Sequence, residues 1–258
     1  MSYLRKNVLL TVKAYPEKSK HYGAVVCTAG ITDGGEFVRL YPVPFANFRG
    51  DKKVPKYSWI NVECEKASEY LNRKESYKIR YSTLKVLNHV DTGVDKQWKE
   101  RNQIILPLLS DSMEELERKS KIDNTSLGLV KPKEIVDLSI NEKEGADSHE
   151  REIVKGIQMT LDGQARTDLE EINYNFRYRF LCNGEQCKGH NIMCEDWEMI
   201  ESWRYWLKKY GNKENAINKF KEKFLNYMLT RDIHFFVGTH SRFNTWLIIG
   251  LYYPPLTG

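Results

Sequence analysis

The 258-residue chain reads as an α+β protein. The expected parts are an N-terminal antiparallel β-barrel-like module (1–90), a helical and linker segment (91–152) and a C-terminal α+β module (153–258) containing a zinc knuckle. Three observations predict this. Residues 1–90 alternate β-branched runs with turn signals, residues 95–123 change to a helical pattern, and residues 182–194, CNGEQCKGHNIMC, collect three of the five cysteines and one of the six histidines.

The N-terminal elements follow from composition. NVLLTVKAY (7–15) and YGAVVCTAGI (22–31) are β-branched runs, TDGG (32–35) is a turn, and EFVRLYPV (36–43) is the returning strand of a hairpin. KYSWINVECEKA (56–67) alternates Tyr57 and Trp59 with polar neighbours, as a half-buried strand does. Some five strands of this kind must deal with their open edges, and closure into a barrel is the usual solution.

The middle is predicted helical over 95–123 with a break near Pro107, and Ser110 or Asp111 as the N-cap of SMEELERK. TSLGLVKPKEIVDLSI (125–140) reads as a turn leading to a strand, and the polar run 141–152 as a loop or domain junction. Towards the C-terminus, FRYRFL (176–181) is a strand running into the cysteine cluster, and 195–211 is a helix ending at Gly211. A second helix over 213–231 would present Ile217, Phe220, Phe224 and Met228 on one face. IHFFVGTH (233–240) and TWLIIGLYY (245–253) are apolar on both faces, which predicts central strands.

The N-terminal apolar run is too short for a membrane span and has no small-residue cleavage site, so a cytoplasmic location is expected. Thiols stay reduced there, and clustered cysteines then point to metal rather than disulfide. Cys182, Cys187, His190 and Cys194, spaced C-x4-C-x2-H-x3-C, are the four candidate ligands of a Zn2+ ion. Thiolate and imidazole are the donors zinc takes in a closed tetrahedral structural site, and Gly184 and Gly189 supply the turns. Cys194 is the ligand that Asp196 or His240 would replace if it faced the core. Glu195, Asp196 and Glu198 beside the cluster leave a catalytic metal open, although no H-E-x-x-H or deaminase pattern occurs.

Charge is segregated. Residues 1–90 hold 16 basic against 8 acidic residues (+8), residues 91–202 hold 15 against 24 (−9), and residues 203–231 hold 8 against 2 (+6). Basic stretches interleaved with aromatic residues suit a nucleic-acid partner, because cations neutralise phosphates and ring faces stack on bases. The candidate contacts are Arg39, Tyr41, Arg49, Lys52 and Lys53, within a run that also holds Phe45 and Phe48, then Lys208 and Lys209, and finally His240 and Arg242. Trp203, Trp206 and Tyr210 share one helix face and read as core. The expected function is nucleic-acid binding, DNA or RNA, on a zinc-stabilised scaffold. The alternatives are a metal-dependent enzyme acting on nucleic acid and an interaction protein whose basic surfaces meet an acidic partner.

Overall fold

The computed structural model describes residues 3–15, 17–19, 23–44, 54–67, 73–143, 172–185, 187–240 and 245–256. The chain is mixed α+β and begins with a closed five-stranded barrel. Its strands are β1 (Leu4–Lys13), β3 (Gly23–Thr32), β4 (Phe37–Pro44), β5 (Ser58–Lys66) and β6 (Ser76–Ile79), with β2 (Glu17–Ser19) paired to β3 and β7 (Lys85–His89) to β5. The ring runs β1-β3-β4-β6-β5 and closes where β5 pairs back onto β1. Every barrel pairing is antiparallel except that of β4 with β6.

Alternation sets which side chains fill the barrel. Val8 and Leu10 of β1, Val38 and Leu40 of β4, and Ile60, Val62 and Cys64 of β5 point inward and form one core. In β5 the inward positions are therefore Ile60 and Val62 rather than the expected Tyr57 and Trp59, since compact aliphatic chains fit the narrow interior. Tyr57 precedes the strand, and Trp59 faces outward.

The helical middle is two pieces. Helix α1 (Lys99–Ile105) gives way to a 3-10 turn containing Pro107, and a short strand β8 (Leu109–Ser110) leads to α2 (Met113–Asp123). The α2 N-cap is Ser112, not Ser110 or Asp111: its hydroxyl accepts the Glu115 N–H at 3.1 Å. The expected single strand in 125–140 is also two, β9 (Leu127–Val130) and β10 (Glu134–Glu142). Pro132 lies between them, and a residue without an N–H does not continue a ladder. They join different sheets. β10 lines up with β11 (Tyr174–Leu181) and β12 (His190–Met193), whereas β9 lies between β8 and β13 (His234–Thr239), with β14 (Trp246–Tyr252) beyond.

Two helices cover the β10-β11-β12 sheet. Helix α3 (Trp197–Tyr210) starts at Asp196, whose carboxylate accepts the Met199 N–H, and stops at Gly211 with φ +60°. Helix α4 (Lys213–Lys221) continues as one π turn (Glu222–Asn226) and one 3-10 turn (Met228–Thr230) instead of a regular helix to 231. Phe220, Phe224 and Met228 are buried as expected, and Phe176, Trp203 and Phe220 form one aromatic cluster. Of the last two strands only β13 is central; the edge of β14 is covered instead by a bridge from Ile248 to Cys194. Residues 144–152 of the expected polar loop lie outside the described residues. Among the described residues no helix is long and apolar enough to cross a membrane.

The outer face of β3 and β4 is not open. Ala29, Ile31 and Phe37 pack with Leu127, Leu129, Phe236, Leu247 and Ile249 of the C-terminal sheet. Arg39 Nη2 crosses this joint to the Ser126 carbonyl at 2.9 Å, and Glu75 accepts the Ser126 N–H and hydroxyl.

Candidate functional site

Glu114, Cys182, Cys187 and His190 converge, their donor atoms all within 4.8 Å of one another. Each arrives by its own element. Cys182 follows the last residue of β11, and His190 opens β12 opposite Phe180. Cys187 lies in the loop between them, where its N–H closes a turn onto the Gly184 carbonyl at 3.0 Å. Gly189 takes φ +93° as the chain turns back, a conformation that costs glycine little. Glu114 is the second residue of α2, held by the Ser112 cap.

The spacing suits one ion. His190 Nε2 is 3.4 Å from Cys182 Sγ, 3.3 Å from Cys187 Sγ and 3.3 Å from a Glu114 oxygen. Cys182 Sγ is 3.0 Å from the other Glu114 oxygen. Metal–sulfur bonds near 2.3 Å and metal–nitrogen or –oxygen bonds of about 2.0–2.2 Å place tetrahedral donors roughly 3.3–3.8 Å apart. The four groups are thus arranged so that they can hold a metal ion.

Backbone hydrogen bonds prepare the sulfurs. The Cys182 N–H donates to Cys187 Sγ at 3.3 Å, and the N–H groups of Gly184 and Met113 donate to Cys182 Sγ. Burial, helped by the hydrogen bond to Glu114, nevertheless pushes the Cys182 thiol up to about 11. Burial also raises the Glu114 carboxyl, but hydrogen bonds from Cys182, its own N–H and Ser112 outweigh it and hold the group below the usual range. Gly184 is required for a separate reason: a Cβ there would sit 2.8 Å from Glu114 Oε2.

Cys194, expected as the fourth ligand, is elsewhere. Its N–H donates to Phe176, four residues along β11 from the Phe180 that faces His190, a distance of about 13 Å at strand rise. It is a buried core residue. Asp196 and His240, the proposed substitutes, are not in the cluster either. Asp196 caps α3 and pairs with Lys56 at 3.3 Å, and His240 follows β13, its N–H bound to the Thr245 carbonyl. Glu114 had no sequence signal of its own, because acidic residues in a first helical turn are common wherever the helix dipole favours them.

The expected nucleic-acid contacts scatter. Arg39 is buried in the joint described above, away from any open surface, and Tyr41 is half-buried. Arg49, Lys52, Lys53 and Arg242, together with Phe45 and Phe48, lie outside the described residues. Lys208 and Lys209 are exposed in the last turn of α3. Trp203 is core as expected, but Tyr210 is exposed, as is Tyr205. Lys209 Nζ is 5.7 Å from both of those ring centroids, and Lys223 Nζ is 4.1 Å from the Tyr227 ring and 5.5 Å from the Tyr253 ring.

Residues 109–257, more than half of the chain, match the family model described as a domain of unknown function, DUF8757. The chain belongs to this family. A second model, domain of unknown function DUF8758, matches residues 4–107. The barrel therefore lies in the DUF8758 match, and all four clustered donors lie in DUF8757. No curated protein matches the chain.

Proposed function

We propose that this protein binds nucleic acid through the exposed basic and aromatic surface of its C-terminal helices, on a scaffold tied together by a structural zinc ion. The observation that carries the reading is the pairing of lysine with tyrosine there: Tyr205, Tyr210 and Tyr227 are exposed, and each has an ammonium group within 5.7 Å of its ring. Such a surface offers cations to phosphates and ring faces to unpaired bases. The closed five-stranded barrel adds support by fold analogy only, since small barrels of this size include nucleic-acid readers. In this chain the β3–β4 face is packed against the C-terminal sheet, so binding falls to the helices. Zinc is proposed because two sulfurs, one imidazole and one carboxylate are its usual donors, and four protein donors leave no open coordination position.

Fluorescence anisotropy with labelled single-stranded DNA, duplex DNA and RNA over a salt series tests the binding. Affinity is expected to fall steeply with salt, and the combined substitution K208A/K209A/K223A should weaken it and reduce the salt slope by about 2, at roughly 0.7 per lost phosphate contact on single strands. Binding no stronger than that of a neutral control protein at low salt would overturn the reading.

A further inference from the structure

A cavity of about 370 Å³ opens where β1, the segment before β5, α1, α3 and the end of β14 meet. Its walls come from both family regions. The two lysines that line it are engaged: Lys13 donates to the Val54 carbonyl, and Lys56 to Asp196 at 3.3 Å and Glu198 at 3.2 Å. Arg101, 6% exposed, is anchored by Nε and Nη2 on the Val90 carbonyl. Its Nη1 has no partner among the described residues, and neither has the hydroxyl of Tyr57, 8% exposed, in the same wall. Buried hydrogen-bonding groups are almost always satisfied, so these two call for a partner from within the cavity.

The charges here call for a neutral partner. Lys56 and Arg101 are offset by Asp196 and Glu198, and Asp196 is committed to the Met199 and Leu251 N–H groups as well as Lys56. Glu198 and Arg101 nevertheless line the cavity without pairing with each other, which leaves it one acceptor and one donor. The walls are flat. Trp98 and Tyr253 are half-buried, with ring centroids 5.5 Å apart. The Arg101 guanidinium extends this surface, 3.8 Å from the Tyr57 ring centroid and 4.9 Å from that of Trp98. Tyr57 and Trp98 hold φ values of 64° and 58°. Bulky side chains rarely adopt that left-handed region, and it persists where surrounding structure imposes it, commonly at binding sites.

We propose that this cavity binds an uncharged nucleobase, guanine in preference to the others. The base stacks on Trp98 or Tyr253, as unpaired bases do on aromatic and guanidinium planes. Arg101 Nη1 donates to its O6 carbonyl, and the Glu198 carboxylate accepts from its N1–H and its amino group. Guanine carries that acceptor and two adjacent donors along one edge. Uracil offers the acceptor and one donor, adenine lacks the carbonyl, and cytosine presents the reverse order. A sugar would bring no flat ring to the stacked guanidinium, and an anion would unbalance charges that already cancel. The volume lies in the ordinary range for small-ligand pockets, roughly 300–1,000 Å³. The base belongs either to a free nucleoside or to an unpaired residue of a strand. The inference goes beyond nucleic-acid binding on the helices and stands without it.

Ligand-detected NMR titration of the full-length protein with the four ribonucleosides, which carry no phosphate, tests it. Glucose, tryptophan and a short oligouridylate with or without one internal guanine complete the probes. Guanosine is expected to bind most tightly and uridine next, with glucose and tryptophan silent. A guanine-dependent gain seen with the strand alone would assign the base to a strand. Glu198→Gln should weaken guanine binding about tenfold, the effect of losing one bidentate base contact. Trp98→Leu should weaken guanosine and uridine alike. Glu198 is exposed, so its variant probes the cavity even if Trp98→Leu fails to fold. Absence of binding with every probe at millimolar concentration would overturn the inference. So would equal affinity for the four nucleosides, glucose or tryptophan bound in their place, or a guanine preference that Glu198→Gln leaves intact. Strand affinity that falls in K208A/K209A/K223A, with no preference for guanine in any probe, would uphold the helical surface and reject the cavity. Guanosine bound by a protein that ignores strands would do the reverse.

Discussion

The metal cluster and the buried ion pair of Lys56 with Asp196 and Glu198 are both built of ionisable groups, yet only the cluster calls for a partner. At Glu114, Cys182, Cys187 and His190 every donor is an acceptor of positive charge, and no lysine or arginine is paired with any of them among the described residues. Around Lys56 the charges balance one another, one ammonium lying between the carboxylates of Asp196 and Glu198. A set of donors without a countercharge is stable only as thiols or around a cation. A compensated ion pair is stable by itself and calls for no partner from outside. Charge balance in place, rather than the count of ionisable residues, separates the two sites.

Breaking the ion pair should have the largest effect. Burial alone would lower the Lys56 pKa, but the carboxylates of Asp196 and Glu198 outweigh it and keep the ammonium charged. Lys56→Met would leave Asp196 buried without its cation, at a cost of about 3–5 kcal/mol in denaturant unfolding. A loss under 1 kcal/mol would mean that the pair is dispensable. Metal should come next. If free zinc stands at a hundred times its Kd, chelation should remove about 2.7 kcal/mol and lower the Tm, and the C182S/C187S variant should show no response to chelator.

Gly184→Ala sharpens the contrast further, because its added Cβ would meet Glu114 and the Ser112 cap that holds it, and nothing of the ion pair. Its methyl group would push the Glu114 carboxylate off position, so metal affinity should fall about 10- to 100-fold, as when other supporting groups of a metal site are lost. Competition with a chromophoric chelator measures this. The exposed Lys74–Asp123 bridge should matter least. The Lys74 ammonium, then Thr125, holds the Asp123 carboxyl down to about 2, below its unfolded value of 3.8. Its contribution is present above pH 3.8 and is lost as pH falls through 2. Asp123→Asn should cost no more than about 1 kcal/mol at pH 7, because both side chains are nearly half exposed, and the difference from the parent should vanish in strong acid.

The sequence made much of this legible where the signal is local. The barrel strands announced themselves by β-branched runs and turns, and α3 by its end at Gly211. Cys182, Cys187 and His190 stood out by spacing within a single hairpin. What it left hidden depends on contacts far along the chain. Glu114 is 68 residues from Cys182, and Arg39 looked like a phosphate contact until the Ser126 joint buried it. Lys56 and Arg101 carried no motif. Their meaning arises only where residues 56, 101 and 196 meet. Cys194 was misread for the complementary reason: closeness in sequence is not closeness in an extended strand, where four residues carry it about 13 Å from His190 into the core.

Metal content of the purified protein bears most directly on the distinction between the two sites. Elemental analysis of the parent chain, Cys187→Ser and Cys194→Ser should give one zinc per chain in the parent and in Cys194→Ser, and none in Cys187→Ser. A parent chain without metal, or zinc that is lost with Cys194 and kept without Cys187, would contradict the cation site at Glu114, Cys182, Cys187 and His190.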